Sequence, residues 1–190
     1  MVLLTDFRLL NNIERKIIKK TFLKISKELI SFLDINLDYL YILIDKNNKL
    51  KPFPEIYYYH NLSKYIIEQF KSNIYYAGIY FGFIKRGDFY LSLECIEFID
   101  NKKLVPKKIK IKVNEKAEKS ILYGNNIKKK MISSLSDHIE KDNYIIIYNK
   151  FNELIALGYL IINTNEIKDL QDNRDIALNL IDKGYFLRNQ

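Results

Sequence analysis

Apolar positions in the first third of the chain recur every three or four residues. Between Asn11 and Leu33, Ile13, Ile17, Ile18, Phe22, Ile25, Leu29 and Phe32 follow that spacing, with Lys16, Lys19, Lys20, Lys24 and Lys27 mostly opposite. This predicts one amphipathic helix of about twenty residues. The period then shortens. Tyr39-Leu40-Tyr41-Ile42-Leu43-Ile44 reads as a strand closed by the turn cluster Asp45-Lys46-Asn47-Asn48, and Ile56 to Tyr59 reads as another strand after Pro52 and Pro54. Leu62, Tyr65, Ile66 and Phe70 predict a short helix. From Ala77 to Phe98 the pattern predicts a hairpin. Its strands are Ile79 to Ile84 and Phe89 to Leu93, its turn is Lys85-Arg86-Gly87-Asp88, and strand-like character continues through Cys95 to Ile96. Gly82, inside the first of these strands, predicts a bulge or a close backbone approach.

Around Asp100 to Pro106 the pattern stops, so the domain boundary is placed there, giving domains 1–104 and 105–190. Lys108, Lys110 and Lys112 then alternate with Ile109, Ile111 and Val113, the period of a strand that holds its ammonium groups on one face. Asn114 is a good helix cap, Glu115 and Glu118 suit a first turn, and Gly124 suits a left-handed end, which predicts a helix from Glu115 to Tyr123. Within it Glu115 and Lys119 are one turn apart and are expected to pair. A Gly124-Asn125-Asn126 turn and a basic strand beginning at Lys128 follow. Tyr144 to Tyr148 and Leu154 to Ile162 read as paired strands around the turn Asn149 to Asn152. Ile176, Ala177, Leu180 and Ile181 predict a short helix over Asp175 to Ile181, and Tyr185 to Arg188 a closing strand. The fold class is therefore α+β, an N-terminal α/β sandwich domain on an antiparallel sheet followed by a small pseudo-β-barrel.

Composition narrows the chemistry. A chain of 190 residues that is 48% hydrophobic and 28% charged is no disordered or low-complexity polymer. Its longest uncharged run in the C-terminal half, Leu154 to Asn165, is too short to span a membrane, so no membrane partner is expected. Met1-Val2-Leu3-Leu4 runs at once into Asp6 and Arg8, unlike a signal peptide, and the single cysteine, Cys95, has no internal partner. Both point to the cytoplasm. A net charge of +8 favours nucleic acid as a partner. The charge is also concentrated, because eleven lysines and only two acids lie between Lys102 and Lys130.

The candidate RNA surface follows from that concentration. Lys116, Lys119, Lys128, Lys129, Lys130 and Arg188 would neutralise phosphates, and the amides of Asn125 and Asn126 would meet base edges. Tyr123 would stack on a base, with Tyr185 and Phe186 as a second candidate pair. Catalytic and metal-binding candidates are thin. His60 and His138 have no second histidine or cysteine at ligand spacing, and Asp137 and Asp142 merely flank a turn. No phosphate-binding glycine loop, zinc-protease or serine-hydrolase motif occurs. No enzyme, cofactor or metal is expected.

Leu122-Tyr123-Gly124-Asn125-Asn126-Ile127, with Ile145-Ile146-Ile147-Tyr148 and Ile155-Ala156-Leu157-Gly158, resembles a PUA domain, a small RNA-binding pseudo-barrel. The stretch Ala77 to Leu93 and the junction Lys108 to Asn125 resemble the archaeal and eukaryotic family of large-subunit ribosome-biogenesis factors, in which an α/β domain precedes a C-terminal PUA domain. The resemblance implies a non-enzymatic factor in pre-rRNA processing and large-subunit assembly. It would bind single-stranded segments of pre-rRNA and pre-ribosomal proteins, act as a monomer, and be nucleolar in a eukaryote. Two positions depart from the pattern, Lys130 where PUA domains often have a turn glycine and Asp142-Asn143 where Gly-Asp is common. Three alternatives share these features: a translation-initiation and ribosome-recycling factor with the same C-terminal domain, an accessory to RNA modification, and an assembly factor whose N-terminal domain docks on protein.

Overall fold

Asn11 sets the start of the first helix. Its side-chain oxygen accepts from the Ile13 and Glu14 N–H groups, both at 2.9 Å, and the Glu14 carboxylate accepts in return from the Asn11 N–H at 2.8 Å. In the computed structural model, which describes residues 5–45, 52–60, 69, 78–136 and 138–188, this helix (α1) covers Asn12–Leu23. It does not continue to Leu33 as the periodicity predicts. The chain loosens after Leu23 and restarts as α2, Glu28–Asn36, because Ser26 takes the Glu28 N–H on its own hydroxyl at 3.1 Å, competing with the helical bond pattern. Across the break Ile25 is buried, as are Ile18 and Phe22 of α1 and Leu29 and Leu33 of α2.

Glu14 also holds Arg8, whose Nη1 and Nη2 donate to its two oxygens at 2.9 and 2.8 Å. Burial alone would raise this carboxyl, but the hydrogen bonds from Arg8 and the Asn11 N–H outweigh it and hold it below the usual range. A depressed folded value means that stability is present above the unfolded value of about 4.3 and is lost as pH falls through the folded one. Glu14→Gln is therefore expected to be less stable than the natural chain at pH 6, with the difference shrinking as pH falls below about 4, as measured by urea unfolding.

The chain divides into two compact units, Met1–Ile99 and Asp100–Gln190, ahead of the anticipated 104/105 boundary. The first unit is built on a five-stranded antiparallel meander: β1 Thr5–Leu9, β2 Leu40–Asp45, β3 Glu55–Tyr58, β4 Ile79–Lys85 and β5 Asp88–Leu91, in that spatial order. β1, whose sequence TDFRL has little apolar signal, is an element the pattern does not announce. The strand-like run past Leu91 is a correction too. Ser92 donates its hydroxyl to the Tyr80 carbonyl at 2.6 Å and accepts from the Cys95 N–H at 3.0 Å, which caps a helix, α3, over Leu93–Asn101. Cys95 is thus a buried helical residue, its thiol pushed well up by burial. One face of the sheet and the helices bury Phe22 against Phe81 and Phe89, at centroid distances of 6.4 and 6.1 Å, and the other carries Phe7, Tyr41, Leu43 and Tyr57. The helix expected over Leu62 to Phe70, Gln69 apart, and the turn residues 46–48 lie outside the described residues.

The second unit has a six-stranded sheet in the order β7-β11-β10-β9-β6-β8. Its strands are β6 Lys110–Val113, β7 Ile127–Lys128, β8 Ile132–Ser134, β9 Tyr144–Tyr148, β10 Leu154–Leu160 and β11 Asp175–Asp182, with β6 and β9 parallel. β7 and β8 are the two outer strands, yet only the 3-10 turn Lys129–Met131 separates them. A flat sheet would place its outer strands about 24 Å apart, whereas that link spans at most about 14 Å, so the sheet must curl into a half-barrel. Helix α4, Glu115–Leu122, supplies Ala117 and Ile121 to the same core as Ile111, Ile127, Ile145 and Ile155.

Two predicted elements exchange type here. Asp175–Asp182 is a strand, and Tyr185–Arg188 is a short helix, α5. The register of β11 shifts against both neighbours, so Ile176 and Ala177 are buried side by side, an arrangement that imitates helical spacing in the sequence. Asp142 takes a left-handed backbone, φ +68°, and its N–H donates to the Leu160 carbonyl at 3.0 Å, so the loop is made without glycine. Among the described residues no helix is long and apolar enough to cross a membrane.

Candidate nucleic-acid interface

Asn114 organises the basic region of the second unit. Its Oδ1 accepts from the Ala117 N–H at 3.0 Å to cap α4, and its Nδ2 donates to the Lys130 carbonyl at 2.8 Å, tying the helix start to the Lys129–Met131 turn. Between these two segments lies a cleft of about 750 Å³. Lys116, Lys128 and Lys130 stand around it, Asn114, Ser120, Asn125 and Asn126 supply polar atoms, and Ala117 and Met131 supply apolar surface. Asp175, the acid on its wall, accepts from Asn126 Nδ2 at 3.2 Å. Among the described residues none of the three lysines has a carboxylate within ion-pair distance. Three unneutralised cations around an apolar floor suit a phosphate backbone carrying a flat base or sugar.

The predicted site residues divide into two groups. Lys116, Lys128, Lys130, Asn125 and Asn126 come together at the cleft. Just outside it, Tyr123, 64% exposed, caps the C-terminus of α4, and Lys119 places Nζ 6.0 Å from the centre of its ring. Gly124 follows at φ +85°, the left-handed end expected of it.

Four of the predicted site residues, two of them in the cleft wall, have internal work. Lys129 turns away from the cleft and donates to the Lys168 and Leu170 carbonyls at 2.9 and 2.6 Å. Asn126 is spent on Asp175 and on the Asn179 N–H, and Asn125 donates to the Ser120 carbonyl and hydroxyl at 3.1 and 3.2 Å. Arg188 lies bidentate on the buried Asp182 carboxylate at 2.8 and 2.9 Å and also donates to the Leu122 carbonyl. Its guanidinium is held further towards the charged form by the hydrogen bonds to Asp182. Glu115 pairs with Lys150 at 2.7 Å rather than with Lys119. Lys110 is paired with Asp100 over the Tyr148 ring, so only Lys112 of the β6 lysines is exposed. The predicted second basic strand is reduced to the two residues of β7.

Asn114 was legible only as a cap, and Ser120 carries no sequence signal; both line the cleft because α4 folds back over the turn. His138 is exposed at φ +71°, and His60 packs 4.5 Å from the Tyr39 ring. Among the described residues no cluster of three or more His, Cys, Asp or Glu side chains is placed to hold a metal.

Residues 109–190 match the UPF0113 PUA domain family. A UPF0113 protein of Archaeoglobus fulgidus is 28% identical over 118 residues, 62% of this chain and 64% of its own. The 60S ribosome subunit biogenesis protein nip7 of Schizosaccharomyces pombe is 26% identical over 121 residues, 63% of this chain and 65% of its own. The matched stretch thus spans just under two thirds of either relative. A conserved PUA domain protein from Thermoplasma acidophilum shares the fold over 97% of this chain and 99% of its own, with a TM-score of 0.56 at 18% identity. A PUA domain structure from Aeropyrum pernix K1 does so over 95% of this chain and 86% of its own, with a TM-score of 0.61 at 11% identity.

Proposed function

From the match of residues 109–190 to the UPF0113 PUA domain family, we propose that this protein binds RNA through the cleft of its second unit and serves, without catalysis, in assembly of the large ribosomal subunit. One observation carries the reading: Lys116, Lys128 and Lys130 ring an open cleft without carboxylate partners among the described residues, and an exposed Tyr123 lies at the end of the same helix. Relatives described as 60S ribosome subunit biogenesis proteins, at 26% identity, support the cellular role. In this reading the ligand is a single-stranded segment of pre-rRNA. Lys116, Lys119, Lys128 and Lys130 meet phosphates, Tyr123 stacks on a base, and Asn125 lies beside the base edge. Lys129, Asn126 and Arg188 hold the site in shape. The protein works as a monomer among pre-ribosomal proteins, in the cytoplasm, or in the nucleolus of a eukaryote.

The test is the salt dependence of RNA binding. Each phosphate of a single strand that a lysine neutralises steepens the fall of log K with log salt by about 0.7, so replacing Lys116, Lys128 and Lys130 together by alanine is expected to flatten the slope by about 2. Lys129→Ala is the contrast. It leaves the Lys168 and Leu170 carbonyls without their donor, costs about 1 kcal/mol of stability and leaves the slope as it was. An unaltered slope in the triple variant overturns the assignment.

A further inference from the structure

The first unit carries a ring stack that the cleft does not use. The β4–β5 register sets Phe83 opposite Tyr90, and their rings lie parallel, 5.1 Å apart with 5° between planes. Phe53 continues the stack on the other side of Phe83 at 5.6 Å and 21°, and Lys85 Nζ sits 4.7 Å from the Phe53 centroid. Elsewhere on this sheet face three rings are sealed and two, Tyr59 and Tyr80, are half-buried. Phe7, Tyr41 and Tyr57 are nearly inaccessible, whereas Tyr90 is 46% exposed. Among the described residues β5 is the edge strand, no strand lies beyond Tyr90, and no ring but Phe83 stacks on it.

We propose that this stack is a second RNA contact, in which a base of a single-stranded segment lies on the open side of Tyr90 and the flanking phosphates meet Lys85 and Arg86. The choice of polymer rests on the RNA reading of the second unit; the geometry does not. Parallel rings with one open end extend naturally by another flat ring, and base stacking on aromatics tolerates sequence because every base has a π-face. The turn that joins the two strands carries the cations proposed to meet the phosphates, Lys85 beside Phe53 and Arg86 exposed at φ +51°. Of the nearby acids, Asp88 lies 3.5 Å from Lys20, and Glu55, across from Phe83, keeps its charge but is turned to the Tyr57 hydroxyl, from which it accepts at 2.8 Å. A protein partner burying an aliphatic side chain would gain little from parallel rings flanked by cations.

The experiment measures binding of fluorescent oligoadenylate and oligouridylate to the full chain. Adenine stacks more strongly than uracil, so the natural chain prefers oligoadenylate. Tyr90→Ala weakens oligoadenylate binding about tenfold and narrows the preference, Tyr90→Phe retains both, and Lys85→Ala flattens the salt slope by about 0.7. Tyr90→Ala binding both polymers like the natural chain overturns the proposal. So does a Tyr90→Ala chain that keeps RNA but loses pre-ribosomal proteins in a nuclease-treated pull-down, which would make this a protein surface. An unaltered slope in the cleft triple variant sinks the second-unit reading alone, and a natural chain that binds neither polymer sinks both.

Discussion

Asp182→Ala is expected to destabilise the second unit by about 3 kcal/mol, far more than a surface carboxylate would. Asp182 is 2% exposed, and its oxygens accept from the Gly184 N–H at 2.8 Å, from Asn179 Nδ2 at 3.1 Å and from both Arg188 nitrogens. Alanine removes the acceptor and leaves the donors behind. An interior donor without a partner costs about 1–3 kcal/mol, and the buried Gly184 N–H becomes one, whereas Asn179 Nδ2 keeps the Ile121 carbonyl at 2.9 Å and the Arg188 guanidinium can swing out to water. Asp182→Asn keeps one acceptor oxygen and should lose less. The loss is read by urea unfolding, and hydrogen exchange should show the β11 amides opening first. A change within about 0.5 kcal/mol, the size of an ordinary surface effect, would show that this network holds nothing together. Because Arg188 belongs to the same network, Arg188→Ala should leave the salt slope of RNA binding unchanged.

What the sequence conveys about this unit depends on how local the signal is. The helix from Glu115 and its end at Gly124 are readable because cap, first-turn acids and left-handed glycine all lie within the element itself. The half-barrel is less so. β11 looks helical because a bulge buries two neighbours together, and a bulge is a relation between strands that one strand's pattern does not contain. In the first unit, α1 ends early and α3 begins after Ser92 because serine hydroxyls compete for backbone partners, a choice that periodicity does not record. The lysine cluster behaves the same way. Its excess charge is plain in the composition, but which lysines stay free depends on distant partners. Lys129 is taken by carbonyls at 168 and 170, Lys110 by Asp100, and Arg188 by Asp182. Charge locates the face, while long-range pairing selects the residues on it.

Gly82→Ala should be the most damaging single methyl in the first unit, with a loss of about 3 kcal/mol or more. Gly82 sits at φ +137°, and a Cβ there would lie 1.9 Å from the Tyr90 carbonyl oxygen, 2.9 Å from its carbon and 3.2 Å from the Leu91 Cα. All three obstacles are backbone of β5, so no side chain can yield and the two strands must part. The position is demanding because the β3–β4 register shifts beside it, sending Phe81 into the core and bringing Gly82 against β5. Gly87→Ala separates the two components of the cost. Gly87 is also left-handed, at φ +83°, but nothing lies within 4 Å of its Cβ position, so alanine there bears only the conformational penalty of about 1–2 kcal/mol. The excess at Gly82 measures the clash. Equal losses at the two sites would mean that the strands do not approach this closely. Parting β4 from β5 also takes Phe83 away from Tyr90, so the same variant should lose the oligoadenylate preference ascribed to the ring stack while β9 and β10 keep their exchange protection.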